Sequence, residues 1–341
     1  MTFPIWHWHI ENSSICSLRC PRCPRQEVPG TLVQTSLELD FFKRNFTTEV
    51  LKDVWQITFC GDDGDPIYGK DFLDIVTYLK RTKPKLSLRI VTNGSYKSKD
   101  WWFNLARVLN QYDDIHFSID GWNQKSNELY RVNSNWASIM TAIKTVRANS
   151  PVIMTLATIA FKFNQRAIDY EIDQMAYDLG FDFYQITKST KFGSIYPHYN
   201  TDGHDELEPD VLVSTSGRFK RIVFNTSGRE QFDNGHIELN NTIWNKTDKN
   251  RDIIPMCQIG NKGLYISADG YFYPCCWMAN RYNHTRWQQF KQPQFDLNQR
   301  TISEVIADRQ WIDFFATLHT NTECTTKCAA KNYNQEYATS W

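Results

Sequence analysis

The chain of 341 residues is long enough for one large domain, or for a domain of about 200–250 residues with a smaller partner. Lysine plus arginine and aspartate plus glutamate both number 38, a formal net charge of zero, which argues against a broad phosphate-binding surface and against nucleic acid as a partner. No run approaches the roughly 18 apolar residues of a spanning helix, and no basic segment precedes an apolar core at the N-terminus, so no membrane partner is expected and a cytoplasmic location is.

Residues 5–11, IWHWHIE, alternate as a strand does, and the cysteine-bearing stretch CSLRCPRC (16–23) follows directly. The stretch SLELDFFKRNFTTEVLK (36–52) predicts one helix capped by Ser36, with Leu39, Phe42, Phe46 and Val50 on one face. The pattern then repeats. Strands are predicted at 54–60, 86–92, 114–120, 152–160 and 181–187, with helices from about Lys70 to Leu79, at 101–110, at 136–147 and at 167–180 between them. Six β/α alternations imply a parallel sheet, doubly wound or curled toward a barrel, with working loops at the carboxyl ends of the strands.

From Lys188 to Asn234 the periodicity fades into a polar stretch that reads as an irregular insertion or linker. A second unit begins near Gly235. In it, LYISADGYFYPCCW (264–277) predicts a hairpin turning at Asp269-Gly270, a favoured turn pair. Thr301 and Glu304 have capping-box spacing ahead of an amphipathic helix.

Eight of the nine cysteines fall into two end groups: Cys16, Cys20 and Cys23, and then Cys257, Cys275, Cys276, Cys324 and Cys328. In a reducing compartment such groups are more often ligands or catalysts than disulfides. Three thiols on one loop can hold three corners of a 4Fe–4S cubane and leave the fourth iron open to a substrate or cofactor. A structural zinc site is the alternative, with His7 or His9 folding back as the fourth ligand, and a redox role is a third. The ninth cysteine, Cys60, reads as a small hydrophobe at a strand end or as a hydrogen-atom donor. Gln185 and Lys188 end the sixth strand, either in contact with substrate or as solvated polar residues.

The CxxxCxxC spacing of Cys16, Cys20 and Cys23 after a first strand resembles the signature of the radical SAM enzymes. Three further motifs stand in the order that family has: FCGDDGDP (59–66), similar to its glycine-rich GGEP-type loop, then TNG (92–94), then SIDG (118–121) with Arg131 beyond it. The resemblance implies a partial (β/α)6 TIM-type barrel that binds S-adenosylmethionine (SAM) at an open 4Fe–4S cluster. It implies that Gly61, Gly64, Asp65 and Pro66 line the methionyl group, that Ser118 lies near the ribose or carboxylate and Asn93 near the ribose, and that Arg131 bonds the carboxylate. The residue before the third cysteine is usually aromatic in the family; here it is Arg22, whose guanidinium can also stack on a flat ring.

Cys257, Gly270 and Cys275 resemble the CxnGxxxxC opening of SPASM and twitch domains, with Cys324 and Cys328 closing the site. Such domains hold auxiliary iron–sulfur clusters, and the cysteine count implies one auxiliary 4Fe–4S cluster, with Cys276 spare because adjacent strand residues point to opposite faces; a structural zinc ribbon is the alternative for the other four. The expected organisation is therefore a radical SAM core over 1–235 and a small SPASM/twitch-like α+β domain over 236–341. The resemblance further implies a peptide, protein or small-molecule substrate, with peptide modification first, small-molecule or nucleoside chemistry next and a non-catalytic metal-stabilised binding protein as the reading from another class. A flavodoxin- or ferredoxin-type electron donor is expected, and a separate peptide-recognition protein, because little chain precedes Cys16. No individual catalytic residue is assigned.

Overall fold

The computed structural model describes residues 7–188, 207, 219–223, 264–281 and 288–317; Cys257, Cys324 and Cys328 lie outside them. Among the described residues, nine strands form an open sheet in the order β7-β6-β5-β4-β3-β2-β1-β8-β9, consistent with a partial barrel. The chain groups into two compact units, one of residues 1–16, 28–90 and 242–341, the other of 17–27 and 91–241.

In the first unit, β1 (His7–Ile10) pairs in parallel with β2 (Gln56–Phe59), and β2 with β3 (Ser87–Thr92). Because strand side chains alternate, this register sorts them by face. His7, Gln56 and Ser87 stand in one row, and His9, Thr58 and Arg89 in the next, whereas Trp8, Ile57 and Leu88 occupy the opposite face. The apolar face is covered by helices. Trp8 meets Phe46 edge-on at 5.3 Å, and Phe59 meets Phe72 at 5.2 Å, the latter from α4 (Phe72–Thr82).

A short helix α1 (Pro24–Glu27) follows the cysteine loop. The single helix expected over 36–52 is instead two, α2 (Leu39–Asn45) and α3 (Thr48–Asp53). Phe46 leaves the helical conformation, and the Thr47 hydroxyl accepts from Val50 N at 3.4 Å to start the second helix.

The second unit repeats the scheme. β4 (Asp114–Ser118), β5 (Ile153–Ala160) and β6 (Phe183–Lys188) run parallel, with α5 (Lys99–Val108), α6 (Gln124–Glu128), α7 (Trp136–Asn149) and α8 (Glu171–Asp178) as connections. Ile115, Met154, Leu156 and Tyr184 form the apolar rows; His116, Thr155, Ser118, Ala157 and Gln185 lie in the alternating rows. The stretch read as irregular after Lys188 contains a strand, β7 (Phe219–Val223), which pairs antiparallel with β6. An antiparallel edge strand needs no crossover helix, so no periodic signal announces it.

The C-terminal part of the first unit contains the expected hairpin, β8 (Leu264–Ile266) with β9 (Phe272–Tyr273). Gly270 takes φ +89°, where an L side chain is strained. β8 also pairs in parallel with β1, Trp8 opposite Leu264, so this region extends the core sheet. The capping box at Thr301 and Glu304 is present, but the helix it opens, α9 (Ile302–Ile306), stops early, and Asp308 caps a second, α10 (Arg309–Ala316). Arg300 holds Asp308 at 2.8 Å, fixing the break. Among the described residues no helix is long and apolar enough to cross a membrane.

Candidate functional site

The cysteine loop leaves the carboxyl end of β1. At its base, the Ser14 hydroxyl donates to Val33 O at 2.6 Å and accepts from Thr35 N at 2.9 Å, and Ser13 bridges to Ser36. In the first unit, Cys16 is half-buried beyond this base. The second strand's loop packs onto the same base: Asp65 N donates to Ile15 O at 3.0 Å, and the Asn12 amide donates to Pro66 O at 3.1 Å. A Cβ on Gly64 would overlap the Ser13 carbonyl, and one on Gly61 would overlap Gly64 and Glu11. Glycine is thus required at both positions by backbone approach. Asp65 is buried, and its carboxylate accepts from Ile67 N at 3.2 Å, starting the 3-10 turn at Pro66.

Two further side chains hold this loop. Glu11, the first residue past β1 and fully buried, accepts from Asp63 N at 2.6 Å and Gly64 N at 2.8 Å through Oε1, and from the Tyr265 hydroxyl at 2.6 Å through Oε2. Burial pushes its carboxyl well above the usual carboxylate range, Asp63 and Asp62 push the same way, and the Tyr265 hydrogen bond opposes them. Arg281 forks onto the Asp63 carboxylate, with Nε to Oδ2 at 2.8 Å, and sends Nη1 to Val28 O and, at 2.9 Å, to Thr31 Oγ1.

In the second unit, Cys20 is buried and Cys23 half-buried, joined by a turn in which Cys23 N donates to Cys20 O at 3.1 Å. The loop 131–134 anchors this segment: Arg19 N donates to Val132 O, and the Asn133 amide to Ser17 O at 2.8 Å. Arg131 donates through Nε to Asp120 Oδ2 at 2.6 Å, and its charge acts on the Cys20 thiol. Burial pushes the Cys20 thiol up, and the Arg131 charge opposes it. Asp120 is fully buried; its Oδ1 accepts from Ile159 N at 2.7 Å. Burial raises its carboxyl, while Arg131 pulls it back. A Cβ on Gly121 would overlap the Asn127 backbone, so the SIDG turn needs its glycine. Ser118 ends β4 half-buried, and the Asn93 side chain accepts from Ser95 N at 2.9 Å, closing the TNG turn at Gly94, φ +71°.

A donor set of three thiols suits an iron–sulfur cluster better than zinc, although among the described residues no three His, Cys, Asp or Glu side chains stand grouped as metal ligands. None of the six described cysteines is in a disulfide, and the two histidines that zinc would recruit are engaged elsewhere. His7 Nε2 bonds Thr58 Oγ1 at 3.1 Å and His9 Nε2 bonds Cys60 O at 2.8 Å. Burial lowers His7 to about 3, with His9 and Arg89 adding to it, and lowers His9 to about 4, so both rings pack as neutral groups. Arg131 beside Cys20 supplies positive charge where thiolates must be stabilised. Cys60 lies half-buried past β2, its thiol raised by burial and by Asp62. Cys275 and Cys276 lie in a turn after β9, Cys275 half-buried and Cys276 buried, with Met278 N donating to Cys275 O.

Each unit therefore gathers its own motif residues: Cys16, Gly61, Gly64, Asp65 and Pro66 in the first, Cys20, Cys23, Asn93, Ser118 and Arg131 in the second. Sequence reasoning did not single out Glu11, Asp63, Asp120, Tyr265 or Arg281. Of these, Asp63 stands inside FCGDDGDP and Asp120 inside SIDG, whereas Glu11, Tyr265 and Arg281 carry no motif.

The Radical SAM superfamily model matches residues 10–170, and the model of the SPASM iron-sulfur cluster-binding domain matches 257–329. No curated protein matches the sequence. Among solved structures, Streptococcus suis SuiB bound to S-adenosylmethionine shares 13% identity at a TM-score of 0.57, over 92% of this chain and 66% of that one. SuiB bound to precursor peptide SuiA aligns at 0.58 with 13% identity, over 93% and 67%. The anSMEcpe protein with bound AdoMet aligns at 0.55 with 16% identity, over 91% and 80%. The chain thus spans just under two thirds of the length of the S-adenosylmethionine-bound SuiB chain.

Proposed function

The chain belongs to the radical SAM superfamily and carries a SPASM iron–sulfur domain, and on that premise we propose that this enzyme cleaves SAM reductively to modify a peptide or protein. The observation that carries the reading is the cysteine loop on the carboxyl end of β1, with Cys20 beside the Arg131–Asp120 pair. Cys16, Cys20 and Cys23 hold the first 4Fe–4S cluster. When bound, that cluster supplies the electron that splits SAM into methionine and a 5′-deoxyadenosyl radical, which takes a hydrogen atom from the substrate.

The chain's own residues orient and shield. The backbone of Gly61–Pro66 receives the methionyl amino group, with Asp65 and Pro66 fixing its exit. Arg131 offers a charge-assisted bond to the carboxylate while Asp120 holds its guanidinium in place. Ser118 serves the ribose or the carboxylate, Asn93 the ribose, and Arg22 the adenine by stacking. We assign the core to 1–235 and the SPASM domain to 236–341. In the latter Cys257, Cys275, Cys324 and Cys328 saturate one auxiliary 4Fe–4S cluster, which suits electron transfer or support. A flavodoxin or ferredoxin in a reducing cytoplasm supplies the electron. The peptide substrate, delivered with a separate recognition protein, draws support from the likeness to SuiB with SuiA.

The test is 5′-deoxyadenosine formation by anaerobically reconstituted protein with dithionite, against the Cys16→Ala/Cys20→Ala/Cys23→Ala variant. Product in the wild type alone is expected; none from a fully iron-loaded wild type would overturn the reading. Hydrogen-atom transfer to a nucleoside and never to a peptide would move the substrate to small molecules.

A further inference from the structure

Two ends of one C-terminal segment grip the same short loop. Tyr265, on β8, hydrogen-bonds Glu11, whose other oxygen takes the N–H groups of Asp63 and Gly64. Arg281, beyond Cys275 and Cys276, forks onto the side chain of that same Asp63 and continues to Val28 and Thr31. Residues 265–281 therefore start and finish on the glycine-rich loop, with both described C-terminal cysteines between the two anchor points. Neither anchor is a loose surface contact. Glu11, Tyr265 and Arg281 are each under a tenth exposed, where a hydrogen bond that is lost is not replaced by water. The gripped loop has no slack either, because Gly61 and Gly64 already touch backbone where a Cβ would stand.

We propose that Glu11, Asp63, Tyr265 and Arg281 are positioning residues that clamp the glycine-rich loop to the Cys275 segment, so that occupation of the C-terminal cluster site sets the affinity of the loop for SAM. This rests on the functional reading above. The loop presents backbone groups to the methionyl end of SAM, so a displacement of either anchor changes the spacing of those groups. A ligand at Cys275 acts on the anchors directly, since the segment is tied at both ends. The clamp is thus a route by which the C-terminal site acts on SAM binding without touching SAM.

The experiment is equilibrium dialysis of labelled SAM against the full, reconstituted chain, with iron content and melting temperature measured on each sample. Tyr265→Phe removes one hydroxyl, and Arg281→Met removes the fork. Each is expected to weaken SAM binding by about tenfold at unchanged iron on the first cluster, the worth of a hydrogen bond to a charged group. Cys275→Ala is expected to weaken SAM binding comparably, and Cys275→Ala/Arg281→Met no further than either alone, because both act through the clamp.

Unchanged affinity in Tyr265→Phe and Arg281→Met, or in a Cys275→Ala protein that has lost its C-terminal iron, would overturn the proposal. A fall in melting temperature alone marks the clamp as structural support and overturns it too. Should Arg281→Met fail to fold, Tyr265→Phe decides. A wild type that binds no SAM sinks the functional reading itself, whereas a binding wild type with indifferent variants sinks only the clamp.

Discussion

Two buried carboxylates stand just past the ends of parallel strands, Glu11 after β1 and Asp120 after β4, and they are held in different ways. Asp120 faces a cation, Arg131, at 2.6 Å. Glu11 relies on two backbone N–H groups and a tyrosine hydroxyl, with Asp63 and Asp62 nearby. One site is neutralised by a counter-charge and the other by dipoles. A counter-charge removed leaves a bare ion in low dielectric, whereas dipoles can be lost one at a time.

The largest effect should follow from breaking the ion pair. Arg131→Met is expected to cost about 3–5 kcal/mol of stability in urea unfolding at pH 7, because Asp120 stays buried without its partner. Adding Asp120→Asn should recover much of that. If the single variant costs no more than an ordinary surface change, Asp120 is not charged there and the contrast with Glu11 disappears.

Glu11→Gln keeps the shape, and its amide oxygen can still accept from Asp63 N and Gly64 N, but the amide nitrogen in place of Oε2 takes away the acceptor of the buried Tyr265 hydroxyl. A loss of about 1.5–3 kcal/mol is expected, smaller than for Arg131→Met. An equal or larger loss would mean that Glu11 carries a charge as costly to mishandle as that of Asp120.

His7 and His9 extend the comparison to buried imidazoles, and both resolve their burial by staying neutral. Below pH 6.5 the unfolded chain protonates both rings, while the folded chain keeps them neutral down to about 3 and about 4. Stability should therefore fall as pH drops through that window, by up to about 1.4 kcal/mol per pH unit for each ring. His9→Gln should flatten the slope measured between pH 7 and 5. A slope that the variant leaves unaltered would show that another group sets it.

The smallest change expected is Gly270→Ala, with φ +89° at the turn of the hairpin that carries Tyr265. It should cost about 1–2 kcal/mol by thermal melting, from the strain of a left-handed turn residue. No loss would show that the turn relaxes, and that the Tyr265 anchor does not depend on it.

What was legible in the sequence was local. The alternation in His7–Ile10, the turn at Gly270 and the cap at Thr301 each declare themselves within a few residues, and the structure has a strand, a hairpin and a helix start there. The helix breaks at Phe46 and Asp308 were less visible because the apolar period continues through them, and only a capping side chain decides where a helix restarts. Glu11 and Arg281 were not readable at all. Their partners are remote in sequence, Tyr265 for one and Asp63 for the other, so no window of residues contains both.

The pairing of β8 with β1 also bears on how the chain acquires its shape. The edge of β1 that receives Leu264–Ile266 must wait for residues made some 254 positions after Glu11, the separation of the Glu11–Tyr265 bond. Until then β1 presents unpaired backbone groups to any other strand in reach. Closing so long a loop is slow, since the chain entropy is lost before the contacts form. A chain shortened to end before Leu264 should scatter light as it is refolded, and one extended past Ile266 should not; equal behaviour would mean that something else covers that edge during synthesis.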